Sequence, residues 1–320
     1  MADTIGVPPG FRDVLFDEAR ARRAIERALV DFFDAQGFRE LRPSSVEFYD
    51  LYKRGNQHIR EDAIRFLDRD DELLALRADF TPAVARIVAA HYAGVGGPMR
   101  VWYSGPVFRK TDPRQGTYKE TWHIGVEVMG EGSVASDAAV ARLALEGLQR
   151  AGMQDVQMHV NHAGIFRGVV ESLALPAGAL RQVQSQINRK DARGLEARLH
   201  SLGVDPEAQH QLRELSRCVG GVEILSRAAT IVGPGPAAAD VTRLREFASH
   251  LADLQNTIVF DLTEIDEMEY YTGIMFRFFS RDANLELGGG GRYDTLLEDF
   301  GAAMPAVGFS LHMDHLVECR

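Results

Sequence analysis

The chain has 320 residues, 45% hydrophobic and 26% charged, which suits about two soluble domains able to bury their own cores. Net charge is −10 at pH 7, which argues against nucleic acid, whose binders gain affinity from Lys and Arg on phosphates. Cys218 and Cys319 lie far apart with no metal-ligand or disulfide spacing, no apolar run approaches the roughly 20 residues of a membrane helix, and MADTIGVPPGFRD lacks a signal peptide's basic and apolar regions. These features predict a cytoplasmic protein with ordinary thiols and no metal.

Asp17 to Gly37 reads as an amphipathic helix, with Ile25, Leu29, Phe32 and Phe33 on one face, Asp17 as N-cap and Gly37 at the close. Phe38 to Val46 reads as extended. Ala63–Asp68 and Leu73–Arg77 predict a hairpin turning at Arg69–Glu72. A helix follows over Thr81–Tyr92, with Pro82 in its first turn, where proline is tolerated. Met99–Lys110 and Thr117–Met129 predict strands joined by the polar loop Thr111–Gly116. On the second strand Ile124, Val126 and Val128 share an apolar face, while Thr121, His123, Gly125 and Glu127 share a polar one suited to a ligand or to solvent.

Ser136–Arg150 predicts a helix and Val156–Asn161 a strand. From Ile165 to Ala252 the texture is helical, rich in Leu, Ala, Arg and Gln. Strand patterns resume at Thr257–Asp261, Gly273–Ser280, Asn284–Leu287 and Ala306–Leu311, and a helix runs from Met313. Strands on both sides of a helical stretch predict an α+β fold: an antiparallel sheet flanked by helices, residues 1–164 and 253–320, with an inserted small helical domain, 165–252. There is no P-loop and no doubly wound βαβ alternation.

Five segments, in order, resemble the class II aminoacyl-tRNA synthetase core and specifically histidyl-tRNA synthetase. Arg42-Pro43-Ser44-Ser45-Val46-Glu47 is similar to motif 1, the dimer-interface motif. Leu76-Arg77-Ala78-Asp79-Phe80-Thr81-Pro82 resembles the loop that grips the α-amino group of histidine. Phe108-Arg109 through Gly116-Thr117-Tyr118 to Glu127 resembles motif 2. Glu269-Tyr270-Tyr271-Thr272-Gly273 and Gly288-Gly289-Gly290-Gly291-Arg292-Tyr293-Asp294 resemble the two histidine signatures, and Ala306-Val307-Gly308-Phe309 leads into motif 3. The resemblance covers nearly the whole chain.

The resemblance implies a pocket for free histidine. Asp79 pairs with the ammonium and Thr81 accepts a hydrogen bond from it. Glu127 accepts from an imidazole N–H, and Tyr270 and Tyr271 supply a ring face and a phenol donor. Arg109 clamps the carboxylate, and His123 stands where the family has glutamine. Each residue alone has a plainer reading: Asp79 as a helix cap, the tyrosines as core, Arg109 and Glu127 as an ion pair. The set points to a pocket.

The departures from a synthetase lie on the ATP side. Asp266 occupies the place of a catalytic arginine. A unit charge contact at about 4 Å and an effective dielectric near 20 is worth roughly 4 kcal/mol, so reversing its sign costs several powers of ten in rate. His315 replaces an ATP-stacking arginine, and His312 replaces a glycine, placing a ring where the nucleotide would lie. In motif 2, Thr111, Thr117 and Lys119 replace an acidic residue and two arginines. The sequence ends at Arg320, without residues for an anticodon-binding domain.

Loss of the ATP side with retention of the histidine side resembles the family's regulatory paralogue. This implies no catalysis of its own and no cofactor. It also implies a role in histidine biosynthesis: activating a short-form ATP phosphoribosyltransferase catalytic subunit and mediating allosteric feedback by histidine. The implied assembly is a hetero-octamer built on synthetase-like dimers. The alternative is an enzyme that forms an aminoacyl adenylate for a non-tRNA acceptor.

Overall fold

A computed structural model describes residues 5–53, 57–94, 96–111, 118–171, 173, 175–263 and 270–320. Asp266, Glu269, Gly116 and Thr117 lie outside the described residues. The first helix, α1 (Phe16–Ala35), buries Ile25, Leu29, Phe32 and Phe33, the four residues its periodicity predicts. Its start differs from expectation: Leu15 is the N-cap and Asp17 sits inside the first turn, where a carboxylate still favours the positive end of the helix dipole. Gly37, at φ +81°, ends the helix in a backbone conformation that L side chains rarely adopt.

The strands β1 (Arg39–Glu40) and β2 (Val46–Phe48) follow, then the short α2 (Gln57–Asp62) and the predicted hairpin, β3 (Arg65–Leu67) and β4 (Leu73–Leu76). The hairpin does not join the main sheet; with β2 it forms a separate three-stranded sheet, order β2-β4-β3. Next come α3 (Thr81–Tyr92), the long strands β5 (Met99–Phe108) and β6 (Glu120–Met129), α4 (Val134–Arg150) and β7 (Val156–His162).

The helical stretch comprises α5 (Ala163–Glu171), α6 (Ala177–Asn188), α7 (Ala192–Ser201), α8 (Pro206–Leu215), α9 (Ile224–Val232) and α10 (Pro236–His250). It is interrupted by the two-residue strand β8 (Val219–Gly220). The chain closes with β9 (Ile258–Asp261), β10 (Ile274–Ser280), β11 (Leu285–Arg292), β12 (Ala306–His312) and α11 (Met313–Glu318).

Nine strands form the main sheet in the order β1-β5-β6-β12-β11-β10-β7-β9-β8. Its centre is antiparallel as expected, but β1 pairs with β5, and β7 with β9, in parallel, so the sheet is mixed. The strand expected at Asn284–Leu287 runs on through the glycine run to Arg292. Glycine is poor in strand interiors, and here backbone pairing on both sides holds the segment extended.

The alternation on β6 decides which side holds the helices. Ile124, Val126 and Val128 pack into a large apolar cluster with Leu29 and Phe33 of α1 and Ala141 and Leu148 of α4. The same cluster runs on into the helical stretch through Phe166, Leu195, Leu212 and Phe247. On the opposite side a second cluster gathers Tyr52, Phe80, Val84, Tyr103, Tyr270 and Tyr293. His123, Gly125 and Glu127 therefore face a layer rich in aromatic hydroxyls. None of the helices is long and apolar enough to cross a membrane, among the described residues.

Candidate functional site

On this second side of the sheet is a cavity of about 150 Å³. All seven residues singled out from the sequence line it: Asp79, Thr81, Arg109, His123, Glu127, Tyr270 and Tyr271. They come from four separate parts of the chain. Asp79 and Thr81 sit at the start of α3, Arg109 just beyond β5, His123 and Glu127 on β6, and the tyrosines just before β10.

Glu127 is the centre of a hydroxyl network. It accepts from Thr81 Oγ1 at 2.9 Å, from Tyr103 OH at 3.5 Å and from Tyr293 OH. The carboxylate is 1% exposed, and burial pushes its pKa up to about 8, against the pull of those hydroxyl donors. Its place depends on a glycine across the sheet: Glu127 pairs in register with Gly308, where an added Cβ would lie 1.7 Å from Glu127 Oε2. Similarly, Gly291 leaves room for the Tyr271 ring, whose nearest carbons would be 3.0 Å from a Cβ there. The glycine run thus serves close approach within the protein, in addition to any approach to a ligand.

Asp79 combines the two readings given above. Its Oδ1 accepts the backbone N–H of Thr81 at 3.2 Å, a local contact at the start of α3, while Oδ2 accepts from Tyr270 OH at 3.3 Å inside the cavity. Burial raises its pKa, opposed chiefly by the positive charge of Arg109. The cavity thus brings two carboxyl groups and a guanidinium together, the acidic and basic partners that an amino-acid zwitterion requires. Arg109 is anchored by Nε, which donates to Ala78 O at 2.8 Å. The plainer reading of Arg109 and Glu127 as an ion pair is not what the structure shows: each has separate partners.

His123 is held by two hydroxyls, Ser310 Oγ at 3.1 Å from Nδ1 and Thr121 Oγ1 at 3.2 Å from Nε2. Burial holds its imidazole well below its ordinary pKa, and the neighbouring His312 and Arg109 push the same way. The His312 ring lies 4.8 Å from that of His123 and 5.4 Å from that of His315. His312 is likewise held neutral, down to about 3, mainly by burial.

Three residues, Arg109, His123 and His312, line both this cavity and an adjoining one of about 490 Å³, which His315, Thr111 and Asp314 also border. His312 thus stands at the boundary between the two. His315 Nδ1 is bonded to Glu286 O at 2.6 Å and is tied to the sheet.

The sequence reading missed part of the wall. Tyr293, part of the second signature, bonds Glu127 directly. Arg277, Glu286 and Ser310 also line the cavity. Their period-two spacing on β10, β11 and β12 was the available signal, but without the sheet order it could not say which face they share.

Comparisons with known proteins bear directly on this arrangement. A profile of the histidyl-tRNA synthetase family matches residues 10–316. The chain is 33% identical over 312 residues to the ATP phosphoribosyltransferase regulatory subunit of Desulforamulus reducens, spanning 97% of this chain and 77% of that one. It is 34% identical over 317 residues to the regulatory subunit of Moorella thermoacetica, spanning 98% of this chain and 82% of that one. The chain belongs to the histidyl-tRNA synthetase family, in its branch of ATP phosphoribosyltransferase regulatory subunits.

Its role is regulatory, in histidine biosynthesis, and not aminoacylation. The relatives do not favour the alternative of an adenylate-forming enzyme. A crystal structure from Bacillus halodurans, described as an ATP phosphoribosyltransferase regulatory subunit/histidyl-tRNA synthetase, superposes with a TM-score of 0.92. It covers 100% of this chain and 84% of that one at 24% identity, and so supports the fold alone.

Proposed function

We propose that the chain partners a short-form ATP phosphoribosyltransferase catalytic subunit in the cytoplasm, is required for that subunit's activity, and takes free histidine in the 150 Å³ cavity as the feedback signal. The observation that carries the ligand assignment is the convergence of Asp79, Thr81, Arg109, His123, Glu127, Tyr270 and Tyr271 on one cavity with acidic, basic and aromatic walls. In this reading Asp79 and Thr81 hold the ammonium, Arg109 the carboxylate, and Glu127 an imidazole N–H. Tyr270 and Tyr271 pack on the imidazole, and His123 borders the ligand from β6. No cofactor, metal or nucleic acid takes part.

The assembly in this reading is a dimer of this chain within a hetero-octamer. Support for self-association comes from the small sheet beside the motif 1 segment, where Phe48 and Leu67 are each 61% exposed and Phe66 is 40% exposed. Residues 165–252 form the inserted helical domain and residues 1–164 with 253–320 the core. Calorimetric titration with L-histidine tests the ligand assignment. The unmodified chain binds, and the double variant Glu127→Ala with Tyr270→Phe binds at least tenfold more weakly; equal affinity in the two would remove histidine from this cavity.

A further inference from the structure

The segment carrying Tyr270 and Tyr271 is also held from outside the cavity. Strand β7 passes into α5 without a loop, and Ala163, the first residue of α5, donates its N–H to Gly273 O at 2.9 Å. One turn later, Arg167 Nη2 donates to Tyr271 O at 3.3 Å. The ring of Tyr271 thus lines the cavity while its carbonyl is bonded by a helix of the 165–252 stretch.

That helix is locked in turn to α10. Gly164 and Gly168 lie one turn apart on the face of α5 towards α10. An added Cβ at Gly164 would be 2.1 Å from Asp240 Oδ2, and one at Gly168 would be 3.2 Å from Ala237 Cβ. His162 Nδ1 accepts the N–H of Gly164 at 3.1 Å, which leaves the proton on Nε2, 3.6 Å from Asp240 Oδ1. Backbones this close, with a buried polar contact between them, move together and do not slide.

We infer that α5 and α10 form the element through which contact at Tyr271 is passed to the helical stretch, and that Arg167 is the positioning residue that couples them. The inference rests on the histidine reading of the cavity. Coupling between sites requires an element that both sites bias, and typical couplings amount to 5- to 150-fold in affinity. Arg167 touches the tyrosine's backbone and does not line the cavity, so its loss should spare binding and impair transmission.

The test uses Arg167→Ala and Arg167→Lys in the whole complex with the catalytic subunit. Histidine affinity of the Ala variant, by calorimetry, stays within about threefold of the unmodified chain, and activation of the catalytic subunit is unchanged. The histidine concentration for half-inhibition rises by about tenfold, and the Lys variant recovers part of the difference. Hydrogen exchange supplies a readout that loss of a surface contact alone would not move. Histidine slows exchange over residues 236–250 in the unmodified chain and fails to do so in the Ala variant. Unchanged inhibition of the Ala variant would overturn the coupling role, and so would a loss of affinity equal to the loss of inhibition. Failure of the unmodified chain to bind histidine would instead overturn the cavity assignment, and the coupling with it.

Discussion

Replacing Glu127 with glutamine should stabilise the fold and remove the function of the cavity. The carboxyl group has an ordinary pKa of 4.5 and is pushed up to about 8 by burial. Between these values the folded chain keeps a proton that the unfolded chain releases. Stability conferred on the folded state therefore falls as pH rises from about 4.5 to about 8. At pH 7 the interval is about 2.5 pH units, worth about 3 kcal/mol. Glutamine is neutral at every pH and escapes this cost. Thr81 Oγ1 donates to one carboxyl oxygen of Glu127 and Tyr293 OH to the other, so in glutamine one of the two hydroxyls must reorient to accept from the amide N–H, at a cost of about 1 kcal/mol.

The net gain is about 2 kcal/mol, or about 3 °C in melting temperature for a chain of this size. The same change removes the carboxyl group that gives up its proton to pair with the imidazole on binding, so histidine affinity falls by at least tenfold. Stability gained at the expense of a site is common where function holds a strained or desolvated group in place. Melting curves at pH 4 and pH 7 test the reasoning. The variant should gain at pH 7 and gain nothing at pH 4, where Glu127 is neutral in both states. An equal gain at both values, or none at pH 7, would refute it.

Histidine burial gives the opposite slope on the acid side. His162 and His312 are held down to about 3 from 6.5, mainly by burial, so below pH 6.5 the unfolded chain takes up protons that the folded chain refuses. Stability from these groups is full above pH 6.5 and is lost as pH falls towards 3, and His312→Gln should flatten that loss in denaturant titrations between pH 7 and 4. Gly308→Ala places a Cβ against Glu127 and should abolish histidine binding in calorimetry while circular dichroism stays close to that of the unmodified chain. Arg292→Met leaves buried Asp137 without its main partner, and urea unfolding should show a loss of about 3–5 kcal/mol.

The elements with strong periodicity were legible in the sequence. Helix α3 has the bounds its pattern implies, and β6 buries Ile124, Val126 and Val128 while turning His123 and Glu127 to the cavity. Chain ends and pairings were less legible because they depend on distant partners. Asp17 carries the chemistry of a cap, yet the helix starts one residue earlier. Gly288–Gly291 resembles a loop by propensity, and only pairing with β10 and β12 makes it a strand.

The parallel edges, β1 on β5 and β7 on β9, follow from sheet order, which no local pattern encodes. At the site, motif resemblance points to seven of the wall residues and carries Tyr293 within a signature, whereas Arg277, Glu286 and Ser310 become visible only once β10, β11 and β12 stand side by side. Of the ATP-side departures, Asp266 and Thr117 lie outside the described residues, while His312 and His315 are in place beside the larger cavity.

The measurement that tests the central claim most directly is phosphoribosyl-ATP formation by the short catalytic subunit from the same source, with this chain absent, then present, then present with histidine. The account predicts strong activation by the chain and its reversal by histidine. No activation, together with no complex on gel filtration, would contradict it.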